Sequence, residues 1–217
     1  MNSSDHVVLV VDDDYRVRDA LQSLLGACDL HSAVFGTAAE YIAYPRPNVP
    51  ACLILDVELP DINGLDLQQQ IATGYHPPII FITGHGDIPS SVRAIRAGAL
   101  DFLTKPFVAD DLLRLVHAAL AQDRQRRVRH ADMDRLQRRL ESLTPREREV
   151  LPLVVSGLLN KQAAAHLGIS EVTFQIHRTN VMRKMQADSL PDLVRIAGSL
   201  DIPIGHSRHM QGASSDS

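Results

Sequence analysis

The first 120 residues alternate five short apolar runs, Val7 to Val11, Ala33 to Phe35, Cys52 to Leu55, Ile79 to Ile82 and Leu100 to Leu103, with stretches of helical periodicity. Apolar runs with no polar alternation read as strands buried on both faces, and strands that alternate with helices build a doubly wound parallel sheet. In such a sheet every carboxyl end opens on one edge, where ligands of open α/β folds bind. Asp12-Asp13, Asp56, Thr83 and Lys105-Pro106 all stand where a run gives way to a turn. Three carboxylates, a hydroxyl and an ammonium are thus predicted to share one crevice. Carboxylate oxygens suit a hard cation such as Mg²⁺, a strand-end carboxylate can attack phosphorus, and the hydroxyl and ammonium can bind the transferred oxygens. The pattern predicts a chain that carries a phosphoryl group on itself.

The 217 residues divide electrically. Residues 1–120 carry net −8 and residues 121–217 net +4, within a whole-chain charge of −4. An acidic half with a carboxylate site repels phosphate backbones unless a cation is bound, and a basic half attracts them. Cys28 and Cys52 lack metal-ligand spacing and predict reduced thiols in a cytoplasmic protein. No apolar run approaches the roughly 20 residues of a membrane span, and Met1 to Asp5 lacks the pattern of an export signal.

From Gln122 to Glu141 the composition is charged and Arg-rich without Gly or Pro, which predicts a helical linker. Met133, Leu136, Leu140 and Leu143 repeat at 3-4-3 spacing, either a short dimer seam or one side of a solvated connector. Thr144-Pro145-Arg146-Glu147 opens the next helix as a capping box with Pro at its first position. That helix turns Val150, Leu151, Leu153 and Val154 inward and stops at Gly157; a second begins with Asn160 as its expected N-cap. Gly168-Ile169-Ser170 forms a turn into a third helix, Glu171 to Met185, expected to bury Val172, Ile176 or Phe174, Val181 and Met185. A fourth starts at Ser189, and the tail from Gly205 is expected to be disordered.

Residues 6–120 resemble a response-regulator receiver domain in Val10-Val11-Asp12-Asp13-Asp14, Leu55-Asp56-Val57-Glu58-Leu59-Pro60-Asp61-Ile62-Asn63-Gly64, Ile82-Thr83-Gly84-His85-Gly86 and Asp101-Phe102-Leu103-Thr104-Lys105-Pro106-Phe107. The resemblance implies Asp56 as phosphoacceptor, Asp12, Asp13 and the backbone carbonyl of Glu58 as further holders of Mg²⁺, and Thr83 and Lys105 on the phosphoryl oxygens. It also implies a cis bond at Lys105-Pro106 and a switch in which Thr83 moves inward, Phe102 fills the vacated space, and the surface around Ser90 to Arg96 changes. Asp61 and Asn63-Gly64 are read as a turn, with Asn-Gly tolerating positive φ. His85 is a secondary candidate for the phosphate, more readily read as a solvated loop residue.

Leu143 to Ala197 resembles the helix-turn-helix output domain of the NarL/FixJ (LuxR-type) regulators, in Leu143-Thr144-Pro145-Arg146-Glu147, Asn160-Lys161, Leu167-Gly168-Ile169-Ser170, Thr173, His177-Arg178 and Met182-Arg183-Lys184-Met185. Departures are Phe174, Ala163 and Met185, where Val, Ile and Leu are usual. The recognition helix, Glu171 to Lys184, then presents Gln175 to base edges, Thr179 to a base or a phosphate, and Arg178, Arg183 and Lys184 to phosphates, with His177 at the edge of that face; Lys161, on the preceding helix, is a further phosphate contact. The last helix, through Asp192, Leu193 and Arg195, is by resemblance a dimer contact. The whole is predicted as a flavodoxin-like α/β receiver (6–121), a helical linker (122–142), an all-α four-helix DNA-binding domain (143–200) and a tail (201–217).

What this implies is a transcription regulator phosphorylated on Asp56 by a sensor histidine kinase, a homodimer when phosphorylated, binding promoter DNA and acting with RNA polymerase, and an enzyme only in its own phosphorylation and dephosphorylation. A phosphatase of the haloacid-dehalogenase type needs its nucleophile on the first strand and a second Asp two residues on; here Asp56 lies on the third run and Glu58 follows. A receiver that only dimerises, without phosphate, is the other alternative.

Overall fold

The computed structural model describes residues 5–72, 74–84 and 88–203. It separates into two compact units that meet between Val128 and Arg129. The first holds strands β1 (Val7–Val11), β2 (Ser32–Phe35), β3 (Ala51–Asp56), β4 (Ile79–Thr83) and β5 (Asp101–Thr104). All pair in parallel, in the order β2-β1-β3-β4-β5.

Alternate side chains of a strand point to opposite faces, and here both faces are covered. Val7, Leu9, Val11, Leu53, Leu55, Ile79 and Phe81 pack with residues of α2 (Ala38–Ala43), α3 (Gly64–Ile71) and α4 (Ile88–Arg96). Val8, Val10, Cys52, Ile54, Ile80 and Ile82 pack against α1 (Tyr15–Ala27) and the first turns of α5 (Ala109–Glu141). Two-sided burial is why the strands lack polar alternation. The strand order reverses direction at β1, between β2 and β3, and the crevice at that switch point lies beyond the carboxyl ends of β1 and β3.

One helix of 33 residues, α5, replaces the separate helix and linker expected from the sequence. Nothing in it breaks a helix, and Asp110, Asp111, Arg138 and Arg139 complement the dipole at its two ends. Midway, the fully buried Asp123 carboxylate accepts from Ala51 N (2.8 Å), Arg127 Nε (2.8 Å) and the Tyr75 hydroxyl. Burial and this carboxylate push the Tyr75 pKa up to about 12. A polar residue in a charged stretch thus ties α5 to the first unit at the amino end of β3.

The second unit packs α6 (Pro145–Val155), α7 (Asn160–Leu167), α8 (Glu171–Met185) and α9 (Leu190–Ser199) around one core. Leu136 and Leu140 pack partly buried on that core and Leu143 is buried in it, while Met133 stays exposed. Three of the four positions of the 3-4-3 repeat thus pack on this chain's own core. The capping box is complete, with Glu147 N on Thr144 Oγ1 at 3.3 Å and Thr144 N on Glu147 Oε2 at 2.8 Å. Leu159, not Asn160, holds the N-cap position of α7; Asn160 is its first helical residue. Gly168 ends α7 at φ +65°, a left-handed conformation that suits glycine.

In α8 the core side is Phe174, Val181 and Met185, all fully enclosed. Val172 is 72% exposed and Ile176 57%, contrary to the expectation for Val172 and resolving the Ile176 or Phe174 alternative toward Phe174. Phe174 and Ala163 are both fully buried in the same core. No helix among the described residues is long and apolar enough to cross a membrane. The tail from Gly205 lies outside the described residues.

Candidate phosphoacceptor site and nucleic-acid interface

Four strand ends deliver the crevice. Asp12 follows β1, Asp56 ends β3, Thr83 ends β4 and Lys105 follows β5. Asp12, Asp56 and Thr83 are buried, whereas Asp13 is exposed. The Lys105 ammonium stands 2.6 Å from Asp12 Oδ2 and 2.6 Å from Asp56 Oδ2. The other oxygens are held by backbone: Asp14 N donates to Asp12 Oδ1 (2.9 Å) and Glu58 N to Asp56 Oδ1 (3.0 Å). Lys105 N donates to Thr83 O at 2.7 Å, fixing the lysine's loop to β4, and the Lys105-Pro106 peptide is cis.

One ammonium shared by two carboxylates is over-compensated, and each carboxylate is under-compensated. Burial works against the Lys105 charge, but Asp12 and Asp56 outweigh it and raise its pKa. Burial raises the Asp12 pKa, Asp56 adds to it, and Lys105 only partly offsets both.

Carboxylate oxygens of Asp12, Asp13 and Asp56 lie within 4.8 Å of one another. An all-carboxylate oxygen set of this kind suits a hard divalent cation such as Mg²⁺.

Gly64, expected only as part of a turn, stands hard against the strand that carries Asp56. A Cβ there would fall 2.2 Å from the backbone oxygen of Asp56, so only glycine lets α3 start against the strand that carries Asp56. The reason is close approach and not positive φ: Asn63 has φ −66° and caps α3 by accepting from Leu65 N. Asn-Gly was a visible signal with the wrong cause attached. Asp61 caps a different helix, its carboxylate accepting from Ala39 N (2.9 Å) and Ala38 N (3.2 Å) at the start of α2; the Ala39 bond leads in lowering its pKa. Phe102 is half-buried, its ring centroid 6.2 Å from that of Phe81. His85 lies outside the described residues.

In the second unit, Val172, Gln175, Ile176, Thr179 and Arg183 are exposed on α8, and Lys161 is exposed on α7. His177 and Arg178 are half-buried. Asn160 bridges α7 and α8: its amide donates to Gln175 Oε1 (2.6 Å) and its oxygen accepts from Arg178 Nη1 (2.7 Å). Thr179 Oγ1 donates to Gln175 O at 2.9 Å.

Two sequence expectations change. The Lys184 ammonium donates to the buried Glu147 carboxylate (2.6 Å) and to Ser142 O (3.1 Å), which makes it an internal counter-charge rather than a phosphate contact. Leu193 is fully buried in the core, so of the expected α9 contact only Asp192 and Arg195 face outward, and they pair with each other at 2.6 Å.

Residues 8–117 match the model of the response regulator receiver domain, and residues 141–197 that of the luxR family of bacterial regulatory proteins. Nodulation protein W of Bradyrhizobium diazoefficiens is 46% identical over 96% of this chain and 92% of its own length. Transcriptional regulatory protein FixJ of Azorhizobium caulinodans is 40% identical over 88% and 90%. Among solved structures, response regulator StyR superposes with a TM-score of 0.80 at 42% identity, covering 89% of this chain and 98% of its own. Full-length FixJ from B. japonicum gives 0.52 at 35% identity over 91% and 98%. The chain belongs to the two-component response regulators of the FixJ type, in which a receiver domain is joined to a LuxR-type helix-turn-helix domain.

Proposed function

We propose that Asp56 accepts a phosphoryl group from a sensor histidine kinase and that this modification controls promoter binding by α8. The observation that carries the reading is the Asp12–Lys105–Asp56 arrangement at the sheet's switch point. A carboxylate attacking an anionic phosphoryl group meets like-charge repulsion, which Mg²⁺ held by Asp12, Asp13, Asp56 and the Glu58 carbonyl would offset when bound. Lys105 neutralises the same oxygens from the other side, and its contact with Asp56 shifts to a phosphoryl oxygen after transfer. Thr83 donates its hydroxyl to a second oxygen. As Thr83 moves, Phe102 packs further inward beside Phe81 and alters the surface at α4. The receiver catalyses only this transfer and its own dephosphorylation, in which water takes the phosphoryl group and inorganic phosphate leaves.

Promoter reading falls to the exposed face of α8. The Gln175 amide nitrogen and Thr179 meet base edges, and exposed Val172 and Ile176 supply apolar contact of the kind that thymine methyls take. Lys161, Arg178 and Arg183 meet phosphates, and His177 supports the helix edge. The phosphorylated chain acts as a homodimer in the cytoplasm on a two-fold-related site and activates transcription with RNA polymerase.

Intact mass after incubation with Mg²⁺ and acetyl phosphate tests the acceptor. A phosphoryl-sized gain in wild type and none in Asp56→Asn is expected; an equal gain in both would remove Asp56 from the role.

A further inference from the structure

Of the three carboxylates in the crevice, two are held by side-chain and backbone donors and one is not. Asp12 and Asp56 share Lys105 and each accept a backbone N–H. Among the described residues no hydrogen-bond donor reaches the exposed Asp13 carboxylate, so its direction depends on the backbone that carries it. That backbone is clamped by Arg18 from the first turns of α1: Nη1 donates to Asp12 O at 2.6 Å and to Asp13 O at 2.9 Å. Two consecutive carbonyls tied to one nitrogen fix both peptide planes that flank Asp13. Behind the guanidinium lies the turn after β2, where a Cβ at Gly36 would sit 3.5 Å from Nη1. That turn is closed in its own right by Gly36 N donating to Glu40 Oε2 at 2.7 Å.

We infer that Arg18 is a positioning residue for divalent-cation binding, setting the Asp13 carboxylate against Asp12 and Asp56 without touching the ion or the phosphoryl group. The inference rests on the proposed cation site. Its sign is what separates it from a bystander role. A guanidinium beside a cation site repels the cation, so by charge alone removing Arg18 would tighten Mg²⁺ binding. Losing a group that orients a ligand weakens metal binding instead, typically by about 10-fold to 100-fold.

Calorimetric titration of the full-length chain with MgCl₂ distinguishes the two. Arg18→Ala is expected to raise the Kd for Mg²⁺ about tenfold, and Asp13→Asn to weaken binding as well. The double variant should lose less than the sum of the two single losses, because both act through one carboxylate. In acetyl phosphate reactions, the Mg²⁺ concentration for half-maximal rate should rise in Arg18→Ala while the rate at saturating Mg²⁺ stays near wild type. Arg18→Gln reads the same question if Arg18→Ala loses its cooperative thermal melt. Unchanged or tighter Mg²⁺ binding in the folded Arg18 variants overturns the inference while leaving the cation site standing. Absence of Mg²⁺ binding in wild type overturns the cation site, and this inference with it.

Discussion

Asp12 shows how a site built for transfer sits against stability. It is fully enclosed, shares one ammonium with a second buried carboxylate, and is held above the ordinary carboxylate pKa of 3.8 by burial first and Asp56 second. An acid whose pKa is raised by folding favours the folded state in its protonated form, so its contribution worsens as pH climbs from 3.8 through the raised value. Asp12→Asn keeps the shape and removes the charge. It is expected to stabilise the chain at pH 7 by about 1–2 kcal/mol, a gain common when strained functional groups are neutralised. Urea denaturation across pH checks it: the gain should shrink to nothing in acid, and a gain independent of pH would mean that charge is not its cause. Mg²⁺ binding in the same variant should fall, since a ligand is lost. The raised Lys105 pKa runs in the same direction in a higher pH window. Its stabilisation is complete below 10.5 and is lost as pH rises through the higher folded value.

At the level of elements, α7 and α8 divide their lysines between two tasks. Lys184 neutralises Glu147, whose carboxylate burial would disfavour but which Lys184 and the Thr144 bonds hold below its usual pKa of 4.5. Lys161 has no such tie to the core. Log affinity for DNA plotted against log salt is therefore expected to lose about one unit of slope in Lys161→Ala. Lys184→Ala should leave the slope unchanged and lower the melting temperature of the second unit; a slope loss in Lys184→Ala would return that residue to the phosphate contacts. The strands were legible because burial on both faces leaves an unbroken apolar run. The crevice was legible because strand ends in a parallel sheet share one edge. What escaped the sequence has physical causes as well. Val172 and Ile176 are as apolar as Phe174 and Val181, and composition does not distinguish a face turned to the core from one left open. The tie between α5 and the amino end of β3 rests on Asp123, a carboxylate that reads as solvated until its partners Ala51, Tyr75 and Arg127 converge on it. Gly64 needs a neighbouring strand to reveal why a side chain is excluded.

Across the whole molecule, the acidic residues 1–120 and the basic residues 121–217 match a division between a cation-dependent phosphoacceptor and a polyanion-binding unit. To move a regulator from 1:99 to 99:1 in its active form, phosphate and dimerisation together must favour that form by about 5.5 kcal/mol. One helix-turn-helix unit offers a small reading surface. Two linked copies raise the effective concentration of the second on a two-fold-related site. DNA affinity is therefore expected to depend on phosphate through dimerisation, with the largest effect on sites that carry two half-sites. The measurement closest to the central claim is fluorescence anisotropy on a duplex selected by the phosphorylated chain, at fixed salt, with and without acetyl phosphate and Mg²⁺. Wild type is expected to gain at least about tenfold in affinity on phosphodonor addition, equivalent to about 1.4 kcal/mol, and Asp56→Asn to gain nothing. Equal affinity of wild type with and without the phosphodonor, under conditions where intact mass shows Asp56 modified, would contradict control of DNA binding by the receiver.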